Sequence, residues 1–311
     1  MKIVFLDAKT VGEDIDLSKF HALGEFIKYD FTLKEDIPSR VADADVIITN
    51  KMVINEESVG NADHLKLVCV TATGTNNLDK EYLEKRGIVW RNVAGYSTES
   101  VAQHTFAMLF NLLEKLSYYD AYVKEGRYEN DTSFTHFAER FHEISGKTWG
   151  IIGLGNIGRR VADIAKAFGA NVIYYSTSGK NNQNDYTRVD FDTLLSTSDI
   201  VSVHAPLTAE TEGLMNASAF NKMKKNAIFL NVGRGAIVVE EDLYNALEEC
   251  KIAAAGLDVL VEEPMSMNSP FLPFKDSKRL LITPHIAWAS VEARTNLMNI
   301  IYGQIEEFLC K

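Results

Sequence analysis

The sequence predicts an α/β fold built on parallel sheets, and three observations carry that reading. Short apolar runs alternate with stretches of helical periodicity along the 311 residues. A Gly153-Leu-Gly-Asn-Ile-Gly158 turn stands between one such run and one such helix. Later apolar runs end in His, Arg or Asp, as buried parallel strands do where their carboxyl ends meet solvent.

The first strands are expected at 3–6, 46–49, 67–71 and 88–92, each rich in Val, Ile or Leu. A long helix is expected from Ser97, a good capping residue followed by Glu99. Val101, Thr105, Met108, Leu109, Leu112, Leu113 and Leu116 would share its apolar face. One α/β unit is therefore nearly complete before the glycine turn, and the boundary is expected near residue 97. A strand then leads into Gly153, and Val161, Ile164, Ala165 and Phe168 mark the helix that follows. Gly169 ends that helix before a strand at 172–175. Further strands are expected within 199–204, 227–232, 252–258 and 280–283. The stretch 291–309 has helical spacing and is expected to return to the first unit.

The spacing of the glycine turn suits a dinucleotide. Gly153 permits a tight turn, Gly155 lets main-chain N–H groups approach a pyrophosphate, and Gly158 lets helix and strand pack closely. The pyrophosphate would sit at the positive end of the helix. An acidic residue commonly grips the ribose hydroxyls at the end of the next strand, but Ser176 stands there. The stretch 176–180 offers hydroxyls and Lys180, no carboxylate, and no adjacent arginine. NAD(H) and NADP(H) are therefore both open as cofactors.

Composition narrows the classes. A formal net charge of −11 argues against a broad nucleic-acid or anionic-membrane surface. No run approaches the ~20 apolar residues that span a bilayer, and the first residues read as a strand rather than a signal sequence. Cys69, Cys250 and Cys310 are far apart and lack metal-ligand spacing, which fits reduced thiols in the cytoplasm. The seven histidines include no H-E-x-x-H pair, and no nucleophile-elbow motif is present, so zinc and hydrolytic chemistry lose support.

In open parallel sheets ligands bind beyond the carboxyl ends of the strands, where His204, Arg234, Asp258 and His285 would fall. Arg234 lies between Gly233 and Gly235, and a guanidinium binds a carboxylate through two parallel hydrogen bonds. His285 is suited to exchange the proton that accompanies hydride transfer. Glu263 would accept a hydrogen bond from His285 and fix its tautomer, and spacing alone leaves Glu262 equally eligible.

Taken with Gly256-Leu-Asp-Val259, Glu262-Glu-Pro264 and Thr283-Pro-His-Ile-Ala-Trp288, these motifs resemble the D-isomer-specific 2-hydroxyacid dehydrogenase family over essentially the whole chain. The resemblance implies two Rossmann-like domains with parallel sheets. The outer substrate domain would be discontinuous, at 1–96 and 289–311, and the inner NAD(P)-binding domain would span 97–288. It implies that Arg234 orients a 2-keto acid, that His285 is the acid and base, and that Glu263 is its partner. Asn50, Thr73 and Gly74 would help Arg234 and His285 hold the substrate. Around the cofactor it implies Gly153, Gly155, Asn156, Ile157, Gly158 and Ser176. His204, Pro206, Val232, Gly233, Arg234, Asp258 and His285 would complete that set, with Asp258 near the nicotinamide ribose or amide.

A homodimer is likewise implied. Thr73-Gly-Thr-Asn-Asn77, Gly95-Tyr-Ser-Thr98 and Val101-Ala-Gln-His104 are similar to the glycerate dehydrogenase or hydroxypyruvate reductase branch, so D-glycerate and hydroxypyruvate are the first expected substrates. D-lactate-, hydroxyisocaproate- or phenyllactate-type acids are the enzymatic alternative. A dinucleotide-sensing binding protein is the non-enzymatic one.

Overall fold

The computed structural model describes residues 1–180, 185–276 and 278–310. The chain forms two compact units, Met1–Ser97 with Ala289–Lys311, and Thr98–Trp288.

The first unit holds five parallel strands: β1 (Lys2–Phe5), β2 (Glu25–Lys28), β3 (Val46–Thr49), β4 (Leu67–Val70) and β5 (Val89–Arg91). Their order is β2-β1-β3-β4-β5. This is a doubly wound arrangement whose direction reverses between β1 and β3. β3 and β4 are buried along their whole length, which is why they read as unbroken apolar runs. Leu6, Ile47, Val68 and Val70 enter one core. The helix Val291–Leu309 packs against β4 and buries Leu297, Met298, Ile301 and Ile305. Its Arg294 donates to the Asp14 carboxylate at 2.9 Å and to the Val11 carbonyl at 2.9 Å, fastening the returning chain within this unit.

Sequence reading finds four of these strands and misses β2. That strand is only two apolar residues between Glu25 and Lys28, at the sheet edge, where charged side chains discourage further pairing.

The second unit holds seven parallel strands: β6 (Thr148–Ile152), β7 (Asn171–Tyr175), β8 (Thr187–Arg188), β9 (Ile200–Val203), β10 (Ile228–Asn231), β11 (Ala254–Leu257) and β12 (Leu280–Ile282). Their order, β12-β11-β10-β9-β6-β7-β8, is that of dinucleotide-binding sheets, with the switch point between β6 and β9. Alternate residues feed two cores. Trp149, Ile151, Ile200 and Leu230 meet the helices Thr98–Glu114 and Asn156–Ala167. Ile152, Val201, Phe229 and Leu257 join Leu195, Phe220 and Leu243 from helices on the opposite face. β8, a two-residue edge strand with both residues exposed, leaves no apolar signature in the sequence.

The helix beginning at Thr98 stops at Glu114, short of the expected face. Lys115 adopts a left-handed conformation (φ 57) and a new helix, Leu116–Lys124, begins. That break shifts the period, so Leu116 is exposed rather than buried with Leu109 and Leu112. Cys69 is buried in β4, and burial pushes its thiol up to about 12.

Trp149 is fully buried, packs on Phe106 with ring centroids 4.9 Å apart, and donates its indole N–H to Ser202 Oγ at 2.8 Å. Trp149→Ala is expected to destabilise the seven-stranded unit by about 3–5 kcal/mol, measured from its denaturant midpoint in urea.

Candidate active site

The strand order sets the expected residues in a row along the carboxyl edge of the second sheet. Ser176 follows β7, the glycine turn follows β6, His204 follows β9, Val232 to Arg234 follow β10, Asp258 follows β11, and His285 lies three residues beyond β12.

Each glycine of the turn has a distinct steric reason. Gly153 has φ +91, and a Cβ there would lie 2.8 Å from the Ala205 backbone. At Gly158 a Cβ would meet the Gly153 carbonyl oxygen at 2.2 Å, so the helix approaches the strand as closely as a side-chain-free residue allows. A Cβ on Gly155 would meet nothing within 4 Å, leaving open space above the turn. Asn156 and the half-buried Ile157 begin the helix, and no side chain caps its N-terminus. Open space at uncapped N–H groups is what a pyrophosphate requires.

On either side of this turn lies a buried polar atom without a hydrogen bond. Ser176 is 4% exposed, and its Oγ has no partner. Sequence reading finds no arginine beside it. The pairing of β7 with β8 supplies one, since Arg188 Nη1 donates to the Gly179 carbonyl at 3.1 Å. His204 Nε2 meets Ser202 Oγ at 3.0 Å, while its Nδ1 is sealed from solvent and unpartnered. Burial pushes the His204 imidazole down to about 3, so the ring is neutral near pH 7. Pro206, in the loop beyond, is exposed, and Val232 is buried.

Arg234 is half-buried and forms no ion pair among the described residues. Its Nη1 donates to the neighbouring Gly233 carbonyl at 2.8 Å. Asn231 shapes the loop by accepting from Gly233 N–H and donating to the Arg234 carbonyl. Gly235 sits so close to the next loop that a Cβ would fall 1.9 Å from the Leu260 carbonyl. That loop carries the histidine's partner. Glu263 Oε1 accepts from Leu260 N–H at 2.9 Å, and Glu263 Oε2 lies 2.6 Å from His285 Nδ1. Of the two glutamates left open by spacing, Glu263 is the one that meets His285. With Nδ1–H held, Nε2 is the proton-carrying position left for chemistry, and it makes no hydrogen bond among the described residues.

Asp258 braces the loop that follows β12. It is 1% exposed, and its carboxylate accepts from Thr283 Oγ1 at 2.6 Å and from the N–H groups of Ile286 and Ala287, each at 2.9 Å. Its own carbonyl accepts from His285 N–H at 2.8 Å. It thereby ties down the segment in which His285 adopts φ 55. His104 Nε2 joins this brace, 3.0 Å from Thr283 Oγ1.

In the first unit a second buried aspartate does similar work. Asp7, at the carboxyl end of β1, accepts from Asn50 N–H at 2.9 Å and Lys51 N–H at 2.7 Å. Burial holds its carboxyl above the usual range, against these hydrogen bonds. Asn50 is buried at the end of β3. Thr73 Oγ1 donates to the Val93 carbonyl at 3.0 Å, and Asn92 Nδ2 also holds the Thr73 carbonyl. The main-chain N–H groups of Thr73 and Gly74 donate to nothing among the described residues, leaving a pair of adjacent donors beyond β4.

Sequence reading assigns no role to Asp7, His104, Thr283 or Arg188. Asp7 carries the signal used elsewhere, a polar residue ending an apolar strand. The other three act through contacts between distant segments. Among the described residues no group of three or more potential metal ligands occurs, and no helix is long and apolar enough to cross a membrane.

A doubly wound sheet with an uncapped glycine turn, beside an arginine loop and a Glu–His pair, defines a nicotinamide-dependent dehydrogenase. Residues 106–287 match the D-isomer specific 2-hydroxyacid dehydrogenase NAD binding domain. The chain is 40% identical to a hydroxypyruvate reductase of Blautia hydrogenotrophica, covering 99% of this chain and 97% of that protein. It is 32% identical to a glycerate dehydrogenase of Methylorubrum extorquens, covering 99% and 96%. An acyclic imino acid reductase solved with NADPH and D-Arg superimposes with a TM-score of 0.87 at 30% identity, covering 100% and 97%. The chain belongs to the D-isomer specific 2-hydroxyacid dehydrogenase family, and it is an NAD(P)-dependent oxidoreductase of 2-hydroxy acids.

His204 makes stability depend on pH. Its folded pKa of about 3 lies below the ordinary 6.5, so between these values the unfolded chain binds the extra proton. The contribution is fully present above pH 6.5 and is lost as pH falls toward 3. His204→Gln is expected to flatten that slope, read as urea midpoints across the interval.

Proposed function

We propose that the protein reduces hydroxypyruvate to D-glycerate with a nicotinamide cofactor, and that Arg234, His285 and Glu263 carry the chemistry. The observation that supports this most is the 2.6 Å contact of Glu263 with His285 Nδ1, on a loop packed against the loop of Arg234. Similarity to a hydroxypyruvate reductase and a glycerate dehydrogenase supports the substrate. A reduced nicotinamide, when bound, supplies a hydride to C2 of the keto acid. Arg234 holds the anionic substrate by paired N–H donors and stabilises charge on the C2 oxygen. His285, with both ring nitrogens protonated, gives its Nε2 proton to that oxygen, and the Glu263 carboxylate accepts from Nδ1–H, which keeps that proton on Nδ1 and orients the ring. Asp258 acts as a positioning residue for the His285 segment.

We assign the first unit's Thr73 and Gly74 N–H groups, with Asn50, to the substrate carboxylate. The pyrophosphate is assigned to the turn formed by Gly153, Gly155, Asn156, Ile157 and Gly158. His204, Pro206, Val232 and Gly233 are placed along the rest of the dinucleotide.

The working form is proposed to be a homodimer. Phe134 is 88% exposed and Phe137 82%, with Phe141 and Tyr128 also exposed in the same stretch of the second unit. Exposed aromatic side chains along one stretch are costly in water and suit the face of a second copy. Unpaired cysteines, with Cys250 and Cys310 exposed, fit the reducing cytoplasm.

Steady-state reduction of hydroxypyruvate, glyoxylate, pyruvate and phenylpyruvate is expected to give the highest kcat/KM for hydroxypyruvate. A bulkier preference would move the protein toward lactate- or phenyllactate-type acids, and no turnover by folded, dinucleotide-binding protein would favour a sensor. His285→Ala should lower kcat by about 10²–10⁴-fold while changing dinucleotide affinity far less. Light scattering should give twice the 34.8 kDa chain mass, and Phe134→Ser with Phe137→Ser should move it toward one.

A further inference from the structure

Asp7 is a buried acid that takes no part in hydride or proton transfer. It stands two residues beyond β1, is 2% exposed, and forms no ion pair among the described residues. A carboxylate so placed is costly unless its oxygens are filled, and here main chain fills them. Oδ1 accepts from Asn50 N–H at 2.9 Å, while Oδ2 accepts from Lys51 N–H at 2.7 Å and from Thr49 Oγ1 at 3.4 Å. Thr49 Oγ1 in turn accepts from Met52 N–H at 3.1 Å. One carboxylate therefore sets the chain from 49 to 52 as it leaves β3.

That stretch holds the next loop in place. Asn77 Nδ2 donates to the Met52 carbonyl at 2.9 Å and to the Asn50 carbonyl at 3.4 Å, and the Asn77 carbonyl accepts from Ile54 N–H at 2.8 Å. Asn77 ends the loop after β4, in which the Thr73 and Gly74 N–H groups donate to nothing among the described residues. The side-chain amide of Asn50, a residue 6% exposed, likewise makes no hydrogen bond among the described residues. The three groups assigned to the substrate carboxylate thus hang on one network that begins at Asp7.

We propose that Asp7 is a positioning residue for substrate binding: acting through the 49–52 main chain and Asn77, its carboxylate holds Asn50 and the Thr73 and Gly74 N–H groups where they receive the carboxylate of a 2-keto acid. The ionised form is required because both oxygens face donors. In Asp7→Asn, either orientation of the amide turns an NH2 toward the N–H of Asn50 or of Lys51. Opposed donors push the loop away, and displaced donors hold a substrate less well. The inference rests on the assignment of Asn50, Thr73 and Gly74 to the substrate carboxylate.

Steady-state reduction of hydroxypyruvate at saturating dinucleotide separates positioning from damage. Asp7→Asn is expected to raise KM for hydroxypyruvate by about tenfold or more, with kcat within about twofold and calorimetric dinucleotide affinity unchanged. Loss of binding shared by ground and transition states acts on KM, whereas a smaller folded fraction lowers kcat and leaves KM as it was. Asn77→Ala, which leaves every hydrogen bond of Asp7 in place, is the companion variant and decides the matter if Asp7→Asn does not fold. It should raise KM by about threefold or more. An unchanged KM in either folded variant, or a fall in kcat as large as the rise in KM, overturns the proposal. Asn50→Ala tells that failure from a failure of the substrate assignment. If Asn50→Ala raises KM and Asp7→Asn does not, the assignment stands without Asp7. If Asn50→Ala also leaves KM unchanged, or the unaltered protein reduces none of the keto acids, the assignment fails and the positioning role falls with it.

Discussion

Helices cover both faces of the seven-stranded sheet, and that constraint sends the polar chemistry of the unit to its carboxyl edge. A parallel strand with apolar neighbours above and below has nowhere along its length for Arg234 or His285. Each strand therefore becomes polar as it leaves the sheet. The order β12-β11-β10-β9-β6-β7-β8 then decides which polar residues are neighbours. Residues 176 and 285, far apart in the chain, lie on the same edge because their strands do.

Two buried aspartates hold the loops that leave those edges. Asp258 gathers Thr283, Ile286 and Ala287, and Asp7 gathers Asn50 and Lys51. A buried carboxylate is costly unless hydrogen bonds satisfy its oxygens, and backbone N–H groups at a strand end are donors that need a partner. Each aspartate meets both requirements at once. At His285 the reward is geometric. A non-glycine residue at φ 55 is disfavoured, and the neighbouring bonds to Asp258 hold the segment there while Glu263 orients the ring.

Steric limits couple the catalytic loops to one another. Gly235 has no room for a Cβ against Leu260, so the arginine loop and the loop of Glu263 cannot separate without losing contact between their backbones. Gly158 makes the corresponding close approach between helix and strand below the dinucleotide turn. These are contacts of main chain with main chain, which hold position better than side chains free to change rotamer.

The sequence by itself determined the α/β class, the buried strands, the glycine turn, the family and the residue types at the strand ends. These are local signals, carried by apolar runs, by the spacing of Gly153, Gly155 and Gly158, and by short motifs. Edge strands β2 and β8 were not legible, because an edge is partly solvated and lacks the apolar run that burial imposes. Leu116 was misplaced because one left-handed residue, Lys115, resets a helix period that sequence spacing carries straight on. Only the tertiary structure decided that Glu263 rather than Glu262 meets His285, that Asp258 gathers Thr283, Ile286 and Ala287, and that Arg188 stands beside the Ser176 loop. Each of these depends on which strands pair and how loops stack, and those are contacts between segments that no local window of sequence contains.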